Sequence, residues 1–484
     1  MVSENSVDSA SSVDSDNSVQ ADHDLVVLGA GSGGYAAALR AAQLGLSVAL
    51  VEADKVGGTC LHRGCIPTKA WLHAAEIADG ARHGAEFGVH ATVDRVDLAG
   101  VKSYAGGVVD RLHKGLTGMI GQRGITTIAG TGRLVTDGGT PGVEVDGRVV
   151  RGRAVVLGTG SYSRTLNLDV DGRRILTSEH ALTMDELPSS AIVLGGGVIG
   201  VEFASAWNSF GVDVTIVEAL DRLVPAEDPE ISKTLTRALG KKKIKSLTGT
   251  PMKSVETTDD GVTLTLESGK QVSADVLLVA VGRGPASDGC GYEKAGVVLD
   301  RGFVRTDERL RTSVDGVYAV GDLVAGLQLA HRGFAHGIFV AEEVAHGLGK
   351  CDTAPIPVRD RDIPKVTYCD PEIATVGWSE ADAKDEFGAD GVESYTYNLG
   401  GNGRSQILRT AGFIKIIRRT AGEVLGITMI GARVGELIGE AQLITNWEAW
   451  PDEVAGLIHA HPTQNEALGE AHLALAGKPL HAHG

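Results

Sequence analysis

The chain has 484 residues, a formal net charge of −17 and a hydrophobic fraction of 43%, a length and composition that accommodate about three folded domains. Few aromatic residues and 66 glycines favour an α/β protein with many tight turns over an aromatic-rich β-sandwich. The acidic balance disfavours nucleic-acid and membrane partners, and no apolar run approaches the roughly 18 residues of a membrane-spanning helix.

The first 20 residues form a polar segment rich in Ser, Asp and Asn, without Lys or Arg. This composition does not match a signal peptide or an Arg-rich transit peptide, so we expect a cytoplasmic protein. Because so few apolar side chains cannot offset the entropy of ordering, residues 1–20 are predicted to be a disordered acidic tail. The five cysteines of the chain are too few for a secreted disulfide framework.

Two segments of the chain share one arrangement. Each has an apolar run, a Gly-x-Gly-x-x-Gly sequence, a helical stretch, a second apolar run and a glutamate 23 residues after the first glycine. A strand, tight turn and helix of this kind hold a dinucleotide pyrophosphate, and the acid accepts hydrogen bonds from a ribose. Two copies therefore predict two bound dinucleotides. The residues are Gly29, Gly31, Gly34 and Glu52 in the first copy and Gly195, Gly197, Gly200 and Glu218 in the second.

Glu218 also predicts which nicotinamide dinucleotide binds. A carboxylate at this position repels a 2′-phosphate, so NAD is favoured over NADP. Arg222 lies four residues further along the chain and would weaken this preference if its guanidinium reached the phosphate.

Cys60 and Cys65 form a close pair after the first copy. Residues five apart in a regular helix have Cα atoms about 8–9 Å apart. A disulfide needs a Cα–Cα distance of roughly 4.4–6.8 Å. A bridge between these cysteines therefore requires an irregular segment, which Gly64 permits. Pro67 favours the first turn of a helix, which places Cys65 at a helix N-terminus that stabilises a thiolate and leaves Cys60 before the helix. Catalytic redox chemistry is favoured. A metal site would need a second Cys/His pair, and two structural thiols remain an alternative.

The segment Gly-Gly-Thr-Cys-Leu-His-Arg-Gly-Cys-Ile-Pro-Thr-Lys, over residues 57–69, follows a dinucleotide fingerprint. It resembles the pyridine nucleotide–disulfide oxidoreductases and, within them, the bacterial, actinomycete-like dihydrolipoamide dehydrogenase branch, from about residue 22 to the C-terminus. The resemblance implies an α/β fold with two Rossmann-like dinucleotide-binding domains and a C-terminal α+β dimerisation domain. The implied divisions are the tail at 1–20, an FAD domain at 21–160 and 285–355, an NAD domain at 161–284 and an interface domain at 356–484.

The resemblance also implies roles for residues in several separate motifs. Residues 312–322 resemble a second flavin motif, in which Asp322 would bind the ribityl chain. His461 would take and return thiol protons while Glu466 orients it. On the residues alone, histidine suits proton transfer near neutral pH, and Glu466 can fix its tautomer only if the chain turns back. The further implied residues are Gly160 beside the flavin, Gly282 closing the NAD domain, and an ion pair between Lys69 and Glu202.

Some positions depart from the usual family pattern. The strand end near the flavin reads Gly158-Thr159-Gly160, followed by Tyr162, and a later helix carries Arg332 and His336. These residues lie outside the cysteine pair, the two fingerprints and the His461 motif. We expect them to change the packing around the flavin or its redox potential.

The implied activity is oxidation of dihydrolipoyl groups through a Cys60–Cys65 disulfide and FAD, with hydride transfer to NAD. The expected form is a homodimer in which His461 reaches the disulfide of the other subunit. The expected partner is the lipoyl domain of a 2-oxoacid dehydrogenase acyltransferase or the H protein of glycine cleavage. Two alternatives remain: an NAD(P)H-dependent reductase of a small disulfide of the glutathione or mycothiol type, and a non-catalytic peripheral subunit of a multienzyme complex.

Overall fold

The computed structural model describes residues 20–136 and 139–481. The tail predicted for residues 1–20 lies outside the described residues, apart from Gln20. Within the described ranges, no helix combines the length and the apolarity that crossing a membrane requires.

Helices and strands alternate through most of the chain, as the spacing of glycines and apolar runs predicts. The helices are α1 Ser32–Gln43, α2 Gly58–Arg63, α3 Cys65–His83, α4 Leu98–Gln122, α5 Ser178–Thr183, α6 Val198–Ser209, α7 Pro229–Lys241, α8 Ala330–Gly347, α9 Glu380–Phe387, α10 Gly403–Leu408, α11 Val434–Asn446, α12 Pro451–Ala455 and α13 Glu466–Leu475. The strands are β1 His23–Leu28, β2 Val48–Glu52, β3 Thr126–Ala129, β4 Arg133–Val135, β5 Gly142–Val145, β6 Arg148–Leu157, β7 Ser161–Ser163, β8 Ile175–Leu176, β9 Ser190–Leu194, β10 Asp213–Val217, β11 Lys245–Leu247, β12 Met252–Thr257, β13 Val262–Leu266, β14 Gln271–Ala274, β15 Val276–Val279, β16 Arg283–Pro285, β17 Leu299–Asp300, β18 Phe303–Val304, β19 Val317–Ala319, β20 Lys365–Thr367, β21 Glu372–Gly377, β22 Val392–Asn398, β23 Phe413–Arg419 and β24 Val424–Gly431.

The first sheet is assembled from two distant parts of the chain. Its strands follow the order β3-β2-β1-β6-β5-β4, and β19 pairs with the C-terminal half of β6. The strands β1, β2, β3 and β19 run parallel to their neighbours, and helix α8 packs against α1. Residues 317–347 therefore return to the sheet that holds the first glycine-rich turn.

The second sheet repeats the design of the first. Its parallel strands follow the order β11-β10-β9-β15-β8. Strand β9 leads through the second glycine-rich turn into α6, and β10 follows. Strands β1 and β9 are buried over most of their length, as expected of parallel strands with helices on both faces.

The C-terminal part of the chain forms an antiparallel sheet with the order β20-β21-β24-β23-β22. Helices α11 and α13 pack against this sheet. Two parallel-sheet units followed by an α+β unit confirm the predicted fold class. The domain bounds at residues 160, 284 and 355 stay predictions.

Candidate active site

The chain between the two cysteines is not a regular helix. Cys60 lies in the short helix α2, and Cys65 is the first residue of α3. Gly64 separates the two helices with φ −137° and ψ −110°, so the break that a close cysteine pair requires falls at the predicted glycine. Both cysteines are free thiols and both are half-buried, so residue exposure does not distinguish them.

The two sulfurs differ in charge state. The Cys60 thiol donates a hydrogen bond to Cys65, and this bond, together with the nearby Lys69 ammonium, lowers the pKa of Cys65 to about 7 despite burial. The same hydrogen bond, burial and the Cys65 charge raise the pKa of Cys60. Because Cys65 begins α3, the helix dipole acts in the same direction. Cys65 is therefore the thiolate of the pair, and Cys60 keeps its proton.

A buried ion pair lies beside the cysteines. Lys69 Nζ is 2.7 Å from Glu202 Oε2, so the pair joins α3 to α6, and the predicted contact is present. Glu202 is 3% exposed and also accepts a hydrogen bond from the Tyr368 amide at 2.9 Å. Burial alone would lower the pKa of Lys69, but Glu202 outweighs this effect and the pKa is raised. Lys69 therefore stays cationic next to the thiolate.

A cavity of about 370 Å³ extends from the first glycine-rich turn to Cys60. Predicted residues from four separate segments line it: Gly29, Gly31, Glu52, Cys60, Gly160 and Asp322. Gly34 and Lys69 lie outside the lining. Gly34 has a packing role instead, since a Cβ placed there would lie 1.8 Å from the Gly29 carbonyl oxygen.

The residues present fit a flavin dinucleotide in this cavity. The N-terminus of α1 carries no acidic residue in its first turn, and a Cβ at Gly31 would meet open space, so backbone amides are available to a pyrophosphate. At the other side, Asp322 Oδ2 accepts a hydrogen bond from Ser161 Oγ at 2.6 Å. Arg283 Nε in turn donates to Ser161 Oγ at 2.7 Å, which fixes the orientation of the Asp322 carboxylate.

The two glutamates at the strand ends are held in the same way. Glu52 Oε2 accepts from the Ala30 amide at 2.6 Å, and Glu218 Oε2 accepts from the Gly196 amide at 2.6 Å. Each carboxylate therefore stabilises its own glycine-rich turn and has lone pairs left to accept hydrogen bonds from a ribose. Gly200 in the second turn has the same packing role as Gly34 in the first. A Cβ at Gly200 would lie 1.9 Å from the carbonyl oxygen of Gly195, the first glycine of its turn.

The second turn has the features expected for NAD. A Cβ at Gly197 would meet open space, so the backbone is accessible to a pyrophosphate. Arg222 donates to the carbonyl oxygen of Pro225 at 2.9 Å, which ties its guanidinium to its own loop. Glu218 is 9% exposed, and its carboxylate at the ribose position would repel a 2′-phosphate, so the structure favours NAD over NADP.

Gly160 and Gly282 mark the two crossings between the sheets. Gly160 has φ 76° and Gly282 has φ 101°, and strands β7 and β16, which follow them, pair in antiparallel fashion. The predicted glycines therefore lie at opposite ends of one two-stranded ladder, where Gly160 accepts from the Ala286 amide and Gly282 accepts from the Arg164 amide. Gly282 itself does not line the cavity of the first turn.

Arg332 and His336, two of the positions that depart from the family pattern, support the loop that carries Asp322. His336 Nδ1 accepts a hydrogen bond from the Gly321 amide at 3.3 Å, and burial lowers its pKa to about 4. Arg332 donates to the Val324 carbonyl at 3.2 Å and the Ala325 carbonyl at 2.7 Å. Both side chains are nearly fully buried. Both side chains therefore contribute to the packing around the cavity, whereas Tyr162 is 52% exposed.

His461 and Glu466 form a hydrogen-bonded pair at the start of α13. His461 Nδ1 lies 2.8 Å from Glu466 Oε1, so the chain turns back as the tautomer argument requires. Burial would raise the pKa of Glu466, but the Thr463 amide at 2.7 Å and His461 lower it overall. An ionised carboxylate can only accept hydrogen bonds, so Nδ1 of His461 carries the proton. Nε2 of His461 therefore remains available for proton exchange. The His461 side chain is 78% exposed, and in the described chain neither residue lines the cavity that contains Cys60.

Sequence reasoning did not identify several residues that hold these groups. Tyr368 places its ring under Lys69, with the ammonium 4.9 Å from the ring centre. Ser161 and Arg283 orient Asp322, although each directly follows a glycine that was identified. Tyr368 carries no sequence signal, because its position depends on the packing of β20 and β21 against α6.

Two dinucleotide-binding units and a polarised dithiol at one of them define a nucleotide-dependent disulfide oxidoreductase. Comparison with known proteins agrees with this class. Residues 23–337 match the family described as pyridine nucleotide-disulphide oxidoreductase, and residues 363–472 match its dimerisation domain. The chain belongs to the pyridine nucleotide-disulphide oxidoreductase family, and it is an oxidoreductase whose family uses FAD and NAD(H). The matched dimerisation domain supports a homodimer.

Individual relatives cover almost the whole chain. A dihydrolipoyl dehydrogenase of Bacillus subtilis is 40% identical over 95% of this chain and 99% of its own length. The mitochondrial dihydrolipoyl dehydrogenase 2 of Arabidopsis thaliana is 37% identical over 95% of this chain and 92% of its own length. Among solved structures, LpdA from Mycobacterium tuberculosis superimposes with a TM-score of 0.85 at 28% identity, covering 93% of this chain and 99% of that chain.

Proposed function

We propose that this protein is a dihydrolipoamide dehydrogenase, which oxidises dihydrolipoyl groups to the lipoyl disulfide and reduces NAD. The observation that carries the proposal is the polarised pair of Cys60 and Cys65, of which Cys60 lines the cavity that also contains the first glycine-rich turn. A dithiol placed in this way can pass an electron pair to a bound dinucleotide. The near full-length similarity to dihydrolipoyl dehydrogenases supports the choice of substrate.

The catalytic cycle begins from the Cys60–Cys65 disulfide. His461 Nε2 takes the proton of one substrate thiol, and the resulting thiolate attacks Cys60, forming a substrate–Cys60 bond while Cys65 leaves as a thiolate. The second substrate thiol then displaces Cys60 and closes the lipoyl disulfide, while His461 gives the first proton to Cys60 and takes the proton of the second thiol. Substrate loses two electrons and two protons. The electrons reduce the Cys60–Cys65 bond, one proton is then on Cys60 and the other on His461, and Cys65 is a thiolate. When bound, FAD supplies the two-electron chemistry between this dithiol and NAD.

Lys69 and Glu202 hold the charge of the leaving sulfur in this scheme. The Lys69 ammonium lies beside the Cys65 thiolate, and Glu202 keeps the ammonium in place through its 2.7 Å contact. Because a thiolate with a lower pKa leaves a disulfide faster, this arrangement directs substrate attack to Cys60.

A dimer completes the proposed site. His461 is exposed and outside the cavity within one chain, so we infer that His461 of the partner subunit serves each cysteine pair. The same closed two-fold arrangement would give two equal sites. The finer assignments that we propose are a lipoyl domain of a 2-oxoacid dehydrogenase or glycine cleavage complex as partner, and a reducing, cytoplasmic location suited to free thiols.

The proposal is tested by two assays on the purified holoenzyme. The first measures NAD reduction by dihydrolipoamide, and the second measures NADPH oxidation with glutathione disulfide or mycothiol disulfide. Fast NADH formation with little activity on the other disulfides is the expected result. Slow NADH formation with brisk NADPH-dependent disulfide reduction would overturn both the substrate and the nucleotide assignment.

A further inference from the structure

One carboxylate joins both ends of the loop that carries His461 and Glu466. Glu440, in α11, places Oε1 2.7 Å from His459 Nε2, and its Oε2 accepts a hydrogen bond from Asn465 Nδ2 at 2.6 Å. His459 lies two residues before His461, and Asn465 lies directly before Glu466. The two oxygens of Glu440 therefore hold the two flanks of this loop at a fixed separation.

The contacts of Glu440 are partly shielded from water. The His459 side chain is 12% exposed and that of Glu440 is 24% exposed. His459 also packs on α13 at Gly469, where a Cβ would lie 2.6 Å from the ring nitrogen Nδ1. A ring held on both sides has few other orientations, so loss of Glu440 would release the N-terminal flank of the loop.

Other contacts fix the middle of the loop. Asn402 Nδ2 donates to the Thr463 carbonyl at 2.9 Å, and Gln464 Nε2 donates to the Ala432 carbonyl at 2.7 Å. These bonds anchor the loop to the body of the domain but do not connect its flanks. The Glu440 carboxylate differs from them because one side chain contacts both the histidine side and the glutamate side of the loop.

We propose that Glu440 is a positioning residue for proton transfer. Through His459 and Asn465 it maintains the 2.8 Å contact between His461 and Glu466 and the direction in which His461 Nε2 points. A displacement of about 1 Å in a reacting group can lower a rate by roughly 100-fold. This inference rests on the proposed function, because it requires His461 to exchange protons with a substrate thiol.

The test compares three variants of the holoenzyme. Glu440→Ala removes both contacts, whereas Glu440→Gln can still accept from Asn465 and donate to His459. Glu448→Ala, at an exposed position just beyond α11, is the matched control. The assays are NAD reduction by dihydrolipoamide and NADH-dependent reduction of a dye that requires no thiol exchange. We expect Glu440→Ala to lower kcat with dihydrolipoamide by roughly 10- to 100-fold without changing dye reduction, and Glu440→Gln and Glu448→Ala to keep most of the turnover.

The same substitution in a His461→Ala chain separates a positioning role of Glu440 from a role in general stability. If Glu440 acts through His461, Glu440→Ala should cause no further loss in a His461→Ala chain, since residues that act as one unit are not additive. Deuterium exchange of the 459–466 peptide should be faster in Glu440→Ala. An equal loss in both backgrounds, a parallel loss of dye reduction, or full activity of Glu440→Ala would overturn the inference. A wild-type protein unable to oxidise dihydrolipoamide would instead overturn the proposed function.

Discussion

The charge of Lys69 offers a direct test of how the cysteine pair is polarised. A pKa of about 7 leaves about half of the Cys65 thiol ionised at pH 7, whereas the ordinary value of 9.0 leaves about 1%. Lys69→Met removes the cation and keeps the Glu202 carboxylate, whose charge raises the pKa of Cys65. Because a nearby opposite charge moves a pKa by about 1 to 3, the thiolate fraction at pH 7 should fall at least about fivefold. The loss should disappear at high pH, where the thiol ionises in both proteins.

The assay is the rate at which iodoacetamide alkylates Cys65 in the reduced protein, followed across pH by mass spectrometry. Trypsin cleaves after Arg63 and places the two cysteines in separate peptides. Lys69→Met should raise the pH at which the alkylation rate of Cys65 is half-maximal. Adding Glu202→Gln should lower this midpoint part of the way back, since the opposing carboxylate charge is then absent. Lys114→Met, at an exposed position of α4, should match the wild type. An unchanged midpoint in Lys69→Met would refute the conclusion that Lys69 stabilises the thiolate.

Three further predictions concern the dithiol, the glycine-rich turn and the dimer. Cys60→Ser should abolish NAD reduction by dihydrolipoamide, whereas Cys351→Ser, at a half-buried free cysteine, should keep wild-type turnover. Gly34→Ala should lose bound FAD, measured by visible absorbance, because its Cβ would overlap a carbonyl of the turn, whereas Gly118→Ala meets open space and should retain FAD. His461→Ala should be inactive alone, but its mixed dimers with Cys60→Ser chains should regain activity at one of their two sites. Absence of recovery would mean that each chain supplies its own histidine.

The dinucleotide-binding units could be predicted from the sequence because their requirements are local. Gly34 must approach the Gly29 carbonyl, and no other residue type fits there. The glutamate at the end of the next strand then reaches the same turn, as Glu52 does with the Ala30 amide. Strand, turn, helix and acid follow one another within about two dozen residues, so the spacing alone determines their arrangement.

The supporting contacts could not be predicted because they join distant parts of the chain. Ser161 and Asp322 are 161 residues apart, and Tyr368 meets Glu202 across 166 residues. Such contacts depend on how the three sheets pack, which no local pattern encodes. The Lys69–Glu202 pair, 133 residues apart, was predicted only through family resemblance. Glu440, His459 and Asn465 carried no signal, since a glutamate on a helix is usually a solvated side chain.

The different charge states of the two sulfurs explain why one dithiol can serve two partners in order. In disulfide exchange, the sulfur with the lower pKa is the better leaving group. Cys65, with a pKa of about 7, therefore leaves when a substrate thiolate attacks Cys60, whereas attack at Cys65 would have to expel Cys60, whose pKa is raised. Cys60 thus exchanges with substrate, and Cys65 holds the negative charge next to Lys69. As the pH falls below about 7, Cys65 becomes protonated in the reduced protein, so the negative charge next to Lys69 should be lost on the acid side.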